Sequence, residues 1–157
     1  SFGVCPLLHL STLTETGGFS SDLAHTVLND PAAQQRTIQE LLTTIREKGY
    51  GGLDVDFEYL NGQDALPYAR FIGQLHSLLS PMGMPVLTAL APKTFAAQPG
   101  TLYEGHDYAL LGQATDGVLL MTYEWGYTYG PPMAVAPQIS EQNTSGTTSI
   151  CIRRIKP

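Results

Sequence analysis

The segment Gly52-Leu53-Asp54-Val55-Asp56-Phe57-Glu58 most restricts what this chain can fold into, because three carboxylates sit at alternate positions inside an apolar run. In a β-strand, residues two apart point to one face. Asp54, Asp56 and Glu58 would then line one side, with Leu53, Val55 and Phe57 on the other. The acids would follow one another at roughly 6–7 Å. Crowded carboxylates repel, which raises at least one pKa and keeps a proton available near neutral pH. A general acid that protonates a leaving oxygen needs such a proton. A metal cluster or a solvated edge strand is the plainer alternative. Val55 and Phe57 between the acids, with a Gly pair before them, argue against an exposed edge.

The rest of the chain alternates strand-like and helix-like segments. Val4 to Leu10 is a short apolar run that reads as a buried strand, followed by a Thr/Gly-rich loop from Ser11 to Gly18. Asp22 to Leu28 is a short helix candidate. Asp30-Pro31 supplies an N-cap with Pro at the first helical position, and Ile38, Leu41, Leu42 and Ile45 recur at helical spacing until Gly49. Gly52 to Glu58 is the acid-bearing strand, and Asn61 to Asp64 is a turn. A helix from about Leu66 to Leu79 carries Phe71, Ile72, Leu75 and Leu79 on one face and breaks at Pro81 and Gly83. Pro85 to Ala91 is a continuous apolar strand of the kind expected in a parallel sheet covered on both faces. Tyr103 to Gln113 reads as a helix and Gly117 to Glu124 as a further strand. Strand–helix–strand units repeated in this way imply right-handed crossovers and an α/β fold.

Two motifs resemble glycoside hydrolase family 18, the chitinases and related N-acetylglucosaminidases. Gly51-Gly52-Leu53-Asp54-Val55-Asp56-Phe57-Glu58 matches that family's D-G-x-D-x-D-x-E except at its first Asp, here Gly51. That position has the opposite parity from the three acids, so its loss should affect support of the strand more than chemistry. Met121-Thr122-Tyr123-Glu124 is similar to the family's M-x-Y-D, with Glu124 in place of Asp. The run from Met121 to Pro137, together with Ala89-Leu90-Ala91-Pro92-Lys93 and Phe19-Ser20-Ser21-Asp22-Leu23, resembles the spore-cortex-lytic and spore-germination branch. The fold implied is a partial (β/α)8 TIM barrel of about four consecutive βα units, strands three to six of the family barrel. A complete barrel takes about 250 residues, against the 157 of this chain. Residues 1–137 would be the partial catalytic domain. Residues 138–157 would be a polar tail unlike the family, read as a truncated or frameshifted end.

The resemblance also implies a mechanism. Family 18 is an exception to the ordinary pair of flanking carboxylates, because the 2-acetamido group of the substrate itself attacks the anomeric carbon. Glu58 would be general acid and then base. Asp56 would hold the acetamido N–H and stabilise the developing positive charge, and Asp54 would share a proton with Asp56. Tyr123 would donate to the acetamido carbonyl. Met121, Glu124, Trp125, Tyr127 and Lys93 are the substrate-binding candidates. Trp125, Tyr127 and Tyr129 form either a platform for sugar rings or simple loop packing. The substrate class is a polysaccharide containing N-acetylglucosamine, peptidoglycan or chitin-like, met at the spore or cell wall. No cofactor or metal is expected.

Composition adds bounds. Net charge is −6 and the basic residues are scattered except for Arg153, Arg154 and Lys156, so no nucleic-acid footprint is expected. No apolar run reaches the length of a membrane span, and the amino terminus lacks a signal-peptide pattern. Cys5 and Cys151 show no metal-ligand spacing, and Cys5 reads as a core thiol. His9, His25, His76 and His106 read as structural or surface residues. Two other functional classes stand beside the glycosidase: a non-catalytic glycan-binding protein on the same fold, and an inactive open sheet whose unpaired edges would drive aggregation or homodimer formation.

Overall fold

The computed structural model describes residues 3–123 and 129–133. Four short strands form one parallel sheet in the order β1-β2-β3-β4: β1 Leu8–Ser11, β2 Leu53–Asp56, β3 Val86–Leu90 and β4 Gly117–Leu120. Each strand lies beside its predecessor in the chain, so the sheet is wound in one direction throughout, as in a barrel. The connections carry α1 Ser21–Asn29, α2 Pro31–Lys48, α3 Ala65–Leu79 and α4 Tyr108–Ala114.

Local chemistry sets the helix ends. Ser20 Oγ accepts from the Leu23 amide at the start of α1. Asp30 caps α2 by accepting from the Ala32 amide, with Pro31 in the first turn where its missing N–H costs nothing. Gly49 ends α2 at φ 73°, a left-handed conformation that glycine adopts without penalty. The polar stop after α3 is a 3-10 turn at Ser80–Met82 closed by Gly83.

One face of the sheet packs on the helices. Leu53, Val55, Phe57, Val86, Leu90 and Val118 of the strand segments meet Ile38, Leu41 and Ile45 of α2 and Phe71, Ile72, Leu75 and Leu79 of α3. Each buried aliphatic or aromatic side chain contributes roughly 1.5–3 kcal/mol by leaving water. Phe57 stacks on Tyr68 at 5.5 Å and on Phe71 at 5.9 Å. The Tyr68 hydroxyl bonds Thr88 Oγ1 at 2.8 Å, and Thr88 donates on to the Val55 carbonyl. A buried phenol is thus satisfied inside an apolar layer.

Several elements are shorter than their sequence patterns predict. β1 covers only Leu8–Ser11, and Val4 is exposed, because Pro6 cannot donate to a ladder and the stretch before Leu8 runs along the outside. β2 stops at Asp56, so Glu58 stands beyond the strand. α4 begins at Tyr108, where Asp107 accepts from the Ala109 and Leu110 amides; the predicted first turn is instead a loop of tight turns around Gly100–His106. β4 ends at Leu120. β3 has helices on one face only among the described residues, and Leu87 on its other face is half-buried. Cys5 is exposed and not a core thiol. Its sulfur occupies the space a side chain at Gly51 would enter, so a residue there would turn the exposed thiol aside. Residues 134–157, including the expected tail and Cys151, lie outside the described residues.

The start of β2 is held tightly. A Cβ at Gly52 would lie 2.7 Å from the Pro85 carbonyl and 2.7 Å from Leu7 Cδ2, squeezed between the entries to its two neighbouring strands. Gly52→Ala should destabilise by about 1–3 kcal/mol, the usual range for overpacking. That corresponds to a fall in melting temperature of roughly 3–10 °C by circular dichroism. Gly18→Ala, where nothing lies within 4 Å, should melt close to the parent and serves as the control.

Candidate active site

The parallel register fixes the acids. His9 pairs with Asp54 and Ser11 with Asp56, so these four side chains share the helix-free face of the sheet, together with Leu87 of β3 and Leu119 of β4. Asp56 is buried and Asp54 half-buried. His9 Nδ1–H donates to Asp54 Oδ2 at 2.9 Å, and His9 Nε2 lies 3.8 Å from Asp56 Oδ2. Asp54 Oδ1 and Asp56 Oδ1 are both buried and take no hydrogen bond from a described residue.

Burial pushes the Asp56 carboxyl above its ordinary value of 3.8, the positive charge of His9 opposes that rise, and the charge of Asp54 adds to it. The raised carboxyl agrees with the expectation from the sequence in direction, but loss of water outweighs repulsion between the acids as its cause.

Beyond Asp56 the backbone leaves the ladder for a reason that the strand pattern does not reveal. His106, buried, donates from Nε2 to the Phe57 carbonyl at 2.8 Å and accepts at Nδ1 from the Ala91 amide at 3.2 Å. One imidazole therefore takes the place of ladder bonds between the ends of β2 and β3. Both ring contacts require the neutral form, and burial lowers the His106 pKa accordingly. The Tyr108 hydroxyl adds a second tie, donating to the Ala91 carbonyl and accepting from the Lys93 amide. Tyr59, next to Glu58, has φ 54°, a left-handed backbone that costs a non-glycine residue about 1–2 kcal/mol. Its carbonyl is held by Ser21 Oγ at 2.6 Å.

These turns open a cleft of about 600 Å³ lined by Asp56, Glu58, Met121 and Tyr123, with Phe19, Tyr59, Leu102 and Tyr103 as its aromatic and apolar wall. Four of the expected residues thus converge at the carboxyl ends of two strands, β2 and β4, where barrels of this kind carry their chemistry. Asp54 lies one step deeper, under His9. Lys93 is not brought to them: it lines a neighbouring cavity of about 750 Å³, with Nζ bonded to the Ala96 carbonyl and 5.4 Å from the Tyr108 ring centre. Tyr129 is exposed and does not line the cleft. Glu124, Trp125 and Tyr127 lie outside the described residues. Among the described residues no cluster of metal-ligand type is present.

His9, Phe19, Tyr59, Tyr103 and His106 were not legible as site residues. The parallel register alone brings His9 onto the acids. The signal available for Tyr59 was its place directly after Glu58.

The profile of the glycosyl hydrolases family 18 matches residues 9–154. The chain belongs to that family. It is 43% identical over 131 residues to the cortical fragment-lytic enzyme of Bacillus subtilis (strain 168), which covers 83% of this chain and 30% of that protein. The crystal structure of the Bacillus cereus spore cortex-lytic enzyme SleL superposes with a TM-score of 0.78 at 38% identity, over 85% of this chain and 30% of SleL. A chitinase from Chromobacterium violaceum ATCC 12472 superposes with a TM-score of 0.73 at 25% identity, over 84% of this chain and 41% of its own. The chain spans about a third of the length of the curated relatives it matches. Family 18 membership and the singly wound parallel sheet agree on a partial barrel.

Asp56 gains protons on folding relative to the open chain, because its folded pKa is raised. Its favourable contribution therefore holds below about pH 3.8 and is lost as pH rises through the folded value. Asp56→Asn should consequently raise the melting temperature at pH 7 by a few degrees. The gain should shrink as the pH is lowered toward 4. An unchanged or lower melting temperature at pH 7 would count against the buried charge.

Proposed function

We propose that this chain is a glycosidase acting on β-linked N-acetylglucosamine glycans by the substrate-assisted retaining route. The observation that carries the reading is Asp56 Oδ1, buried at a cleft shared with Glu58 and Tyr123 and lacking a donor among the described residues. An unsatisfied buried acceptor is costly, and the N–H of a bound acetamido group would relieve it. Glu58, half-buried on the cleft wall, protonates the glycosidic oxygen as the acetamido oxygen attacks the anomeric carbon, then takes a proton from the incoming water. Asp56 orients the acetamido N–H and stabilises the cationic ring that forms. Asp54 stands on the same face next to Asp56 and tunes it, its charge favouring a proton on Asp56. Tyr123 donates to the acetamido carbonyl and holds it in line. Met121 packs beside the sugar. Glu124, Trp125, Tyr127 and Lys93 are the further substrate contacts proposed from the sequence, although Lys93 stands in the adjoining cavity.

The named relatives favour peptidoglycan of the spore cortex over chitin as the glycan, with the spore or cell wall as the place of action. Residues 1–137 are proposed as the catalytic portion. A second reading, that two copies pair through the sheet edges, draws on the helix-free face, where Leu87 and Leu119 are only half-buried and β1 and β4 end the sheet. Elution as a dimer in size-exclusion chromatography is expected from such pairing, and a clean monomer would remove it.

Hydrolysis of a fluorogenic N-acetylglucosamine oligosaccharide decides the main reading. Glu58→Gln should lower kcat by at least about 100-fold with little change in KM, the range for loss of a general acid. Binding without turnover in the parent chain would instead indicate a glycan-binding protein.

A further inference from the structure

The helix-free face carries one ionisable group that the proposed chemistry does not yet use. His9 sits in register with Asp54, and its ring extends along the strand direction far enough to reach both acids, 2.9 Å from Asp54 Oδ2 through Nδ1 and 3.8 Å from Asp56 Oδ2 at Nε2. No Lys or Arg among the described residues forms an ion pair with either carboxylate. The other residues lining this pocket, Leu7, Leu87, Val118 and Leu119, are apolar, and Ser11 on the same strand does not titrate in this range. The charged groups that His9 contacts are thus the two carboxylates, with Glu58 following on the cleft side of Asp56. A cation beside two acids on a partly buried face favours their ionised forms, and here the group in contact with both is an imidazole.

We propose that His9 is a positioning residue for the two aspartates: its Nδ1–H fixes Asp54, and its imidazolium form keeps Asp56 ionised while positive charge builds on the substrate. The inference rests on the glycosidase reading for its catalytic part and on the geometry for its electrostatic part. Imidazole suits this post because the same ring can donate a hydrogen bond when neutral and carry a positive charge when protonated. A protonated ring attracts both carboxylates and holds Asp56 as the anion that stabilises the cationic intermediate. A neutral ring still donates from Nδ1 and keeps Asp54 in place. His9 thus does two separable jobs, a hydrogen bond to one acid and a charge beside the other.

Two substitutions separate them. His9→Asn places an amide donor near the position of Nδ1 but cannot become a cation, and His9→Ala removes both. In the full 157-residue chain, the Asp56 carboxyl is followed through a pH titration by carbon-13 NMR, a measurement that needs no turnover. Its midpoint should move upward in both variants, because the charge that opposes burial is gone. The pH profile of kcat/KM on the N-acetylglucosamine oligosaccharide should show its acidic limb displaced to higher pH in both. The plateau above that limb should fall about tenfold in His9→Ala and recover in His9→Asn, with KM changing less than twofold, the size of one hydrogen bond to a charged group. An Asp56 midpoint identical in all three proteins would overturn the electrostatic role. Equal plateaus in the Asn and Ala variants would overturn the hydrogen-bonding role and leave His9 as packing. If the parent shows no hydrolysis, the glycosidase reading falls, while the NMR titration still decides whether His9 sets the charge of Asp56.

Discussion

Strand β2 has to satisfy two environments at once, and the remainder of the molecule is arranged around that demand. Its odd-numbered side chains, Leu53 and Val55, continue into Phe57 and anchor the helical layer, while Asp54 and Asp56 emerge on the opposite face. Because side chains alternate strictly, a slip of one residue in register would bury two carboxylates among leucines and expose the core. The penalty for such a slip is on the order of the free energy of a typical domain, so the packing that stabilises the fold also sets the face on which the acids emerge. Tight closure at Gly52, pressed between Pro85 and Leu7, reinforces the register at the strand entry.

The exit of the strand is governed by polar contacts. Where β2 and β3 separate, His106 bridges the Phe57 carbonyl and the Ala91 amide, and Tyr108 ties Ala91 and Lys93. A buried backbone group without a partner is expensive, so these side chains allow the strands to diverge without leaving orphans. The divergence creates the cleft, and the left-handed turn at Tyr59, secured by Ser21, leads the chain away immediately after Glu58. Strain and buried polar groups concentrate here, as expected where a site takes precedence over regular structure.

Electrostatics in the cleft depend on burial first and on neighbours second. Asp56 carries a proton more readily than a solvated acid because it has lost water, and His9 moderates that tendency.

The amino-acid sequence by itself determined the order of strands and helices, the helix caps at Asp30 and Gly49, the faces of β2, and membership in a family marked by the Asp54–Glu58 and Met121–Tyr123 motifs. These are local properties, set by periodicity, capping chemistry and residue spacing along a few turns of chain. Tertiary structure decided where the strands end, that Cys5 lies outside the core, that Lys93 faces a separate cavity, that His9 meets Asp54, and that His106 bridges the ends of β2 and β3. Each of those outcomes depends on groups distant in sequence, 45 residues apart for His9 and Asp54 and 49 for His106 and Phe57. Neither histidine has a pattern of its own around it. Only the parallel register and the packing of the 100–107 loop against the strand ends bring each ring to its partner.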